Sequence, residues 1–192
     1  MPKINKFKQG IDMYILGITC YAHESTCSLI KDGKIICVIE EERLNREKHT
    51  WRYPKLAIQE CLDIGSITID DIDHITYFWK PWKEITGNIY HMLRYFPASL
   101  NLLRSESGGN SLLFFRRFLM MKNVGRRIKK QFRLKHVPKI KFIEHHLSHA
   151  ASAFFVSPYS ESAILTFDGR GESTSTMLSY GTNNQIKKIK EI

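Results

Sequence analysis

The chain has 192 residues, a hydrophobic fraction of 43% and a formal net charge of +10. This composition fits a globular protein with a substantial core and excludes a disordered chain. It contains no run of about 18 apolar residues, so no membrane-spanning helix is expected. The cysteines, at positions 20, 27, 37 and 61, form no CxxC pair. That spacing disfavours a zinc knuckle or a disulfide framework, and a reducing cytoplasm is the simplest compartment.

The first part of the chain predicts a small antiparallel sheet after a polar leader, residues 1–12. Residues 14–19 are β-branched and aliphatic, as in a buried strand, and a second strand follows a loop that carries His23. Lys31-Asp32-Gly33-Lys34 is a hairpin turn, because Asp-Gly supplies the positive φ values that tight connections need. Residues 35–39 then complete a three-stranded meander.

The next stretch, residues 40–49, is densely charged and has two interpretations. It contains Arg43, Arg46, Lys48 and His49, which are cationic side chains of the kind that hold phosphates and other oxyanions. A solvated surface loop is the alternative, and composition alone favours it.

Helix–strand units follow this charged stretch. Pro54 opens a predicted helix whose apolar stripe ends at Gly65, and residues 74–78 form the next strand.

Residues 80–135 mix aromatic, aliphatic and basic side chains and predict an inserted helical pair. A cluster of lysines and arginines, with no acidic residue, extends from Arg116 to Lys141. Such a cluster is usually a solvated helix face. It can also serve an anionic partner, whether a phosphate-bearing substrate, RNA or a membrane surface.

A histidine pair follows a short strand at residues 139–144. His145 and His149 are four apart, so on a helix they lie one above the other and can share one metal ion. Neutral imidazole suits Zn, Fe, Ni or Cu, so the spacing favours a transition metal without choosing one. Two histidines do not close a site, and a third ligand is needed. A chance pair on the edge of a core helix is the alternative.

A candidate third ligand stands at the end of the next strand, residues 163–167. The strand continues into Asp168-Gly169-Arg170-Gly171-Glu172, where glycines permit a tight turn. Asp168 is placed to hold a metal or a metal-bound water, and the amides of Gly169 and Gly171 could cradle phosphate. Residues 175–180 are predicted to return as the hairpin partner of this strand, and a plain turn without a ligand is the alternative interpretation.

Four of these motifs, in this order, closely resemble the amino-terminal part of the NodU/CmcH-type carbamoyltransferases. They are residues 15–18 with His23, residues 35–42 with Arg43, Arg46, Lys48 and His49, residues 144–153, and residues 168–172. The resemblance implies an α/β, ribonuclease H-like fold of the actin, sugar-kinase and heat-shock ATPase superfamily. A mixed sheet would contain the meander and then helix–strand units, with the basic helical insertion at about 80–135. Residues 13–192 would form an incomplete amino-terminal domain, since the second actin-like half and a carboxy-terminal domain are absent from this chain.

The resemblance also implies an ATP-dependent reaction in two steps. Carbamoyl phosphate would be converted with ATP into carbamoyl-adenylate, and the carbamoyl group would pass to a hydroxyl of a small-molecule or sugar acceptor. In this comparison His145 and His149 match a metal-binding pair. The expected ion is Fe(II); another divalent transition metal could replace it, and Mg²⁺ is a further candidate. Asp168 matches an aspartate near the metal and phosphates.

The remaining matches concern substrate and proton transfer. His23 matches a histidine placed for proton transfer from the acceptor, and Lys48 a lysine near carbamoyl phosphate. Arg43, Arg46, His49, Gly169 and Gly171 would contact substrate. Glu24-Ser25-Thr26 departs from the family pattern, which has aspartate and small residues after the first histidine.

Two other functions remain open from the sequence. A tRNA-modifying enzyme of the threonylcarbamoyladenosine type would use the basic segment 116–141 as its RNA surface. His23 and the Arg46-x-Lys48-His49 pattern disfavour it and make a nucleic-acid partner the weaker expectation. A truncated, non-catalytic remnant that binds a metal or a partner is the third interpretation.

Overall fold

The computed structural model describes residues 12–100, 118–169 and 171–192. The chain divides into two compact units, Met1–Ile75 and Thr76–Ile192. Two sequence predictions lie partly outside the described residues: the polar leader apart from Asp12, and residues 101–117 of the predicted helical insertion. No helix among the described residues is long and apolar enough to cross a membrane.

The first unit contains the predicted antiparallel meander. Its strands are β1 (Tyr14–Thr19), β2 (Thr26–Lys31) and β3 (Lys34–Glu40), and Leu16 pairs with Leu29, which pairs with Cys37. The turn between β2 and β3 places Asp32 at φ 49° and Gly33 at φ 79°, the left-handed geometry that Asp-Gly favours. The meander is therefore confirmed.

Two helices follow the meander. The charged stretch contains a short helix, α1 (Glu41–Asn45), that the sequence analysis did not predict, and α2 (Lys55–Gly65) confirms the predicted helix. The Glu41 side chain is buried and accepts hydrogen bonds from the Leu56 and Ala57 amides at 3.2 and 2.7 Å. These amides are free donors of the first turn of α2, so Glu41 caps that helix from a distant position. A short 3-10 helix, Ile69–Asp71, leads onward.

The second unit carries the remaining helices and strands. The division between the units falls within β4 (His74–Tyr77). It is followed by α3 (Pro81–Arg94), α4 (Val124–Phe132), β5 (Ile140–Phe142) and α5 (His145–Phe154). The last strands are β6 (Glu161–Phe167), β7 (Thr176–Thr182) and β8 (Gln185–Glu191).

The chain is α/β, as predicted. A mixed five-stranded sheet has the order β3-β2-β1-β4-β5, and a second sheet has the order β6-β7-β8. In the second sheet β6 pairs antiparallel with β7, so the predicted hairpin across the Asp168–Glu172 turn is confirmed. The third strand, β8, was not predicted.

Helix α5 packs on the second sheet through a small apolar core. Ala150 and Phe154 of α5 meet Ile164 and Met177 of the sheet, and all four are buried. Gly181 on β7 provides the room for this contact, because a Cβ at that position would lie 2.8 Å from three carbons of the Phe154 ring.

We expect Gly181→Ala to lower the free energy of unfolding by about 1–3 kcal/mol, because the added methyl group overpacks against Phe154. The cost should be smaller in a Phe154→Leu background, where the ring carbons are gone. Urea unfolding of the parent, the two single variants and the double variant measures both costs. An equal cost of Gly181→Ala in both backgrounds would show that the ring is not the obstacle.

Candidate metal centre

Three side chains with metal-binding atoms converge at the end of β6. One helical turn separates His145 from His149 on α5, and Asp168 directly follows β6. The Asp168 Oδ2 atom lies 2.7 Å from His145 Nε2 and 3.3 Å from His149 Nε2, and the two ring nitrogens are 3.1 Å apart. Within the described residues, this is the group of three or more potential ligands that could hold an ion.

The spacing of these three atoms fits a shared metal ion. Ligands about 2.1 Å from an ion and at right angles to one another are about 3.0 Å apart, whereas tetrahedral ligands are about 3.4 Å apart. The observed separations of 2.7, 3.1 and 3.3 Å are close to these values, so the three atoms lie near enough to share one ion. One hydrogen atom can form a good hydrogen bond across only one of these three contacts. A metal cation between the atoms can accept a lone pair from each of them.

The ionisation of the site also suits a metal. Burial lowers the pKa of His145, which favours the neutral imidazole. The hydrogen bond with His145 lowers the pKa of Asp168 to about 2, so the carboxylate is ionised at neutral pH. Metal binding requires these two forms, a neutral imidazole and an ionised carboxylate.

Aromatic rings and a buried carboxylate fix His145 in place. Its ring centroid lies 4.8 Å from that of Trp79 and 5.7 Å from that of Phe78. Glu172 is buried, and its Oε1 atom accepts hydrogen bonds from the amides of Lys80 and His145 at 2.9 and 3.0 Å. The turn that begins at Asp168 thus returns a carboxylate to the first amide of α5, where the helix dipole favours negative charge.

The middle histidine, His146, has a different role from its neighbours. It is buried, and its Nε2 atom lies 2.9 Å from the carbonyl oxygen of Thr174. Because a carbonyl only accepts, Nε2 carries the hydrogen, and Nδ1 accepts from the Thr166 hydroxyl at 2.9 Å. A Cβ on Gly171 would lie 2.8 Å from His146 Cδ2, so glycine leaves room for this ring. His146 therefore joins α5 to β6 and to the following turn.

A half-buried carboxylate stands just before the metal group. Glu144 receives hydrogen bonds from Lys80, Lys83 and Lys188 at 3.0, 2.9 and 2.7 Å. Burial raises the pKa of Glu144, but hydrogen bonds from the three lysines outweigh burial and bring that pKa to about 2. The cluster connects α3 and β8 to the start of α5.

The glycines of the turn have internal hydrogen bonds. The Gly169 amide donates to Asp168 Oδ1 at 2.6 Å, and the Gly171 amide donates to the Thr174 carbonyl at 2.8 Å. Both glycines line a groove with Asn88, Glu172, Ser173, Thr174, Ser175 and Ile192. Phosphate binding by these glycines remains a prediction.

The other predicted site residues lie in the first unit. His23, Lys48 and His49 are all exposed. His49 has φ 55°, donates its amide to Glu42 Oε2 at 2.9 Å and places Nδ1 3.7 Å from Glu24 Oε1. The 46–49 loop therefore reaches the residue next to His23.

Arg43 lies within α1, and Arg46 caps the carboxyl end of this helix. Arg43 donates to Glu40 Oε2 at 3.1 Å, and Arg46 ends α1 with φ 63°. The structure thus places His23, Arg43, Arg46, Lys48 and His49 in the first unit, and His145, His149, Asp168, Gly169 and Gly171 in the second.

Sequence reasoning missed three residues that hold the metal group: Glu144, His146 and Glu172. His146 had a detectable signal, since it is adjacent to His145 and therefore faces about 100° away from it on a helix. Glu144 and Glu172 had none, because their partners are far away in the sequence.

Comparison with known proteins identifies relatives along almost the whole chain. The family model described as carbamoyltransferase N-terminus matches residues 14–192. A relative from Synechocystis sp., the uncharacterized protein sll1178, is 36% identical over 182 residues, which cover 93% of this chain and 29% of the relative. Nodulation protein NolNO of Sinorhizobium fredii is 34% identical over 169 residues, covering 88% of this chain and 23% of that protein. The chain thus spans less than a third of the length of either relative.

We expect Glu144→Gln to lower the free energy of unfolding at pH 7 by about 1 kcal/mol, because three lysines lose a carboxylate partner. The folded chain keeps Glu144 ionised down to a pKa of about 2, whereas the unfolded chain protonates it near pH 4.3. Its contribution is therefore complete above about pH 5 and is lost as the pH falls toward 2.

Denaturant unfolding at a series of pH values measures this effect, with Glu161→Gln, an exposed carboxylate of β6, as the matched control. The Glu144 variant should have a shallower fall in stability between about pH 5 and pH 2 than the parent and the control. The same acid dependence in all three proteins would contradict the assigned role of Glu144.

Proposed function

The chain belongs to the carbamoyltransferase family, within the N-terminal region of its members, and from this premise we propose that it forms the metal-binding part of an O-carbamoyltransferase. The whole enzyme would transfer a carbamoyl group from carbamoyl phosphate to a hydroxyl of a small-molecule or sugar acceptor. The observation that carries the proposal is the convergence of His145, His149 and Asp168 in a chain that matches this family.

The proposed reaction has two steps. In the first step water cleaves carbamoyl phosphate into carbamate and phosphate, and a carbamate oxygen attacks the α-phosphate of ATP to give carbamoyl-adenylate and release pyrophosphate. The acceptor hydroxyl then attacks the carbamoyl carbon, loses its proton and displaces AMP. Both steps handle several negative charges, so the site needs cations near the phosphates and a base near the hydroxyl.

The metal group would supply one of those cations. Two imidazoles and one carboxylate on one face of an ion leave the opposite positions open, an arrangement typical of non-haem Fe(II) sites. Fe(II) is therefore the proposed ion, with other divalent transition metals as substitutes. Mg²⁺ fits less well, since it prefers oxygen ligands. When bound, the ion would offset phosphate charge, while Glu172 and the Trp79 ring keep His145 oriented.

His23 and Lys48 are the proposed catalytic residues of the first unit. Histidine is the side chain most often used as a general base, and His23 would take the proton of the acceptor hydroxyl. Lys48 would attract the phosphate of carbamoyl phosphate as a point charge, and Arg43, Arg46 and His49 would add donors around it. The contact between His49 and Glu24 supports this assignment, because it brings the loop of Lys48 to the loop of His23.

The rest of the active site is proposed to come from further residues of a longer protein. An actin-like fold with two halves would supply the remaining metal ligand and most of the adenosine pocket from its second half. The outer face of β6 supports this view, since Leu165 and Phe167 are 69% and 85% exposed. Phe167 directly precedes Asp168, so a segment that covers this face would lie next to the metal group.

We expect His149→Ala to lose most of the metal bound by the parent chain, because it removes one of two imidazole ligands. Metal analysis after anaerobic loading with Fe(II) measures the bound ion per chain. His136→Ala, which changes an exposed histidine in the connection between α4 and β5, is the matched control and should bind as the parent does. Equal metal content in the His149 variant and the parent would remove the basis of the proposal.

We expect Lys48→Ala to keep the metal and to weaken the binding of carbamoyl phosphate. Removing one cation from an exposed phosphate site costs about 1 kcal/mol, or roughly a fivefold rise in KM for carbamoyl phosphate. Carbamoyl-phosphate-dependent ATP consumption by the longer protein, with Lys34→Ala as control, provides the readout. A Lys48 variant with unchanged KM would reject this role without affecting the metal assignment.

A further inference from the structure

Helix α3 carries its apolar side chains toward solvent. The exposed large residues Trp82, Ile89, Met92, Leu93 and Phe96, here called the outer stripe, are spaced 7, 3, 1 and 3 positions apart. At about 100° per residue this spacing places them within one face of the helix and of the residues that directly follow it. Leu93 is 74% exposed and Phe96 67% exposed. The outer stripe is therefore a continuous apolar surface rather than scattered single residues.

The opposite face of α3 is the one that packs on the protein. Glu84 is buried and accepts a hydrogen bond from Trp79 Nε1 at 2.9 Å. Gly87 closely approaches the turn between β6 and β7, since a Cβ there would lie 2.6 Å from Ser173 Cβ. An ordinary surface helix turns its apolar stripe to the core and its polar face to water. Because α3 packs through Glu84 and Gly87 in its first turns and every residue from 89 to 94 is exposed, the stripe is available to another apolar phase.

A basic surface begins where the outer stripe starts. The ammonium group of Lys122 lies 5.0 Å from the centre of the Trp82 ring, and Phe118 packs against that ring at 5.0 Å. Helix α4 buries Val124 and Ile128 and exposes cations. The exposed cations Lys122, Arg126, Lys130 and Arg133 are here called the basic surface.

The charge around this surface is one-sided. Between residues 118 and 143 the sequence contains lysines and arginines but no aspartate or glutamate. A surface charge of one sign, positive here, attracts an anionic partner. The basic surface therefore has no acidic counterpart in its own segment.

We propose that the outer stripe of α3 and the basic surface together form a peripheral binding site for an anionic phospholipid membrane. The apolar side chains would enter the boundary between headgroups and acyl chains, and the lysines and arginines would contact lipid phosphates. Trp82, the residue of the outer stripe that lies beside Lys122, would lie at the headgroup level, where tryptophan is enriched.

Charge and apolarity together favour this partner over two others. A second copy of the chain would cover the stripe but would bring two basic surfaces together, which is repulsive. RNA would neutralise the cations but would leave Ile89, Met92 and Leu93 in water. An anionic bilayer satisfies both surfaces at once. This site is separate from the carbamoyl-transfer proposal and does not depend on it.

Vesicle binding by the chain tests this inference directly. Flotation with pure phosphatidylcholine is compared with flotation on a mixture containing about one third phosphatidylglycerol, at low and high salt. The parent should bind the mixed vesicles, bind the neutral ones weakly, and lose binding as salt increases. Absence of binding to the mixed vesicles at low salt would overturn the proposal.

Two pairs of variants separate the contributions of the two surfaces. Ile89→Gln with Leu93→Gln changes the stripe, and Val38→Gln with Ile64→Gln alters two exposed apolar residues elsewhere. Arg126→Glu with Lys130→Glu changes the basic surface, and Lys34→Glu with Lys187→Glu makes the same change in net charge. Each test pair should weaken binding by about tenfold or more, and each control pair by less than about threefold.

Equal weakening by test and control pairs would show that the surface is not specific. Loss of self-association in the stripe variant, without any change in vesicle binding, would assign the stripe to a second copy and overturn the proposal. Circular dichroism confirms that each variant is folded, and the exposure of every substituted side chain makes this the expected result.

Quenching of tryptophan fluorescence by brominated lipid measures insertion into the membrane, and it can be compared among variants that all still bind vesicles. In mixed vesicles, brominated acyl chains should quench the parent, and the quenching should largely disappear in Trp82→Phe but persist in Trp51→Phe. Quenching that is unchanged in Trp82→Phe would show that α3 does not enter the membrane.

Discussion

The buried carboxylate of Glu172 is the contact on which the candidate metal centre depends. One oxygen atom accepts hydrogen bonds from the amides of Lys80 and His145, so it connects the start of α3, the start of α5 and the turn after β6. A buried carboxylate without such hydrogen-bond donors would destabilise the folded chain, so these two amides hold the Glu172 side chain in this orientation. Because Asp168 and Glu172 belong to the same turn, fixing Glu172 also sets the position of Asp168 relative to the two histidines.

Three consecutive polar residues at the start of α5 make different contacts in the site. Glu144 accepts hydrogen bonds from lysines at the start of α3 and on β8. His145 contacts Asp168, and the buried His146 contacts Thr166 and Thr174. The helix is therefore held on several sides before an ion binds. Such outer contacts orient metal ligands and limit the geometry that they can adopt. The residues that make these contacts lie within the part of the chain that matches the carbamoyltransferase family.

Local patterns predicted much of this structure. The Asp32-Gly33 turn, the alternation of β1–β3 and the helical spacing of His145 and His149 are all effects of neighbouring residues, and each appears in the fold. The strand before Asp168 was also recognisable, because a short apolar run ended at glycines. The structure then brings Asp168 to the two histidines, which sequence spacing suggested but did not establish.

Long-range contacts account for what the sequence did not predict. Glu41 caps α2 from a different helix, and Lys188 on β8 contacts Glu144. The many charged residues of β8 obscure the alternation of polar and apolar side chains that would have identified it as a strand. The outward stripe of α3 is a further example, since periodicity identifies an apolar face but not the direction in which it points. Only the packing of Glu84 and Gly87 determines that direction.

X-ray absorption spectroscopy of the chain loaded anaerobically with one equivalent of Fe(II) tests the central claim most directly, because it identifies the atoms bound to the ion. The account predicts two imidazole nitrogens and at least one carboxylate oxygen at about 2.0–2.2 Å, with water in the open positions. A spectrum with oxygen ligands only, or a chain that does not retain the ion, would contradict a metal centre built from His145, His149 and Asp168.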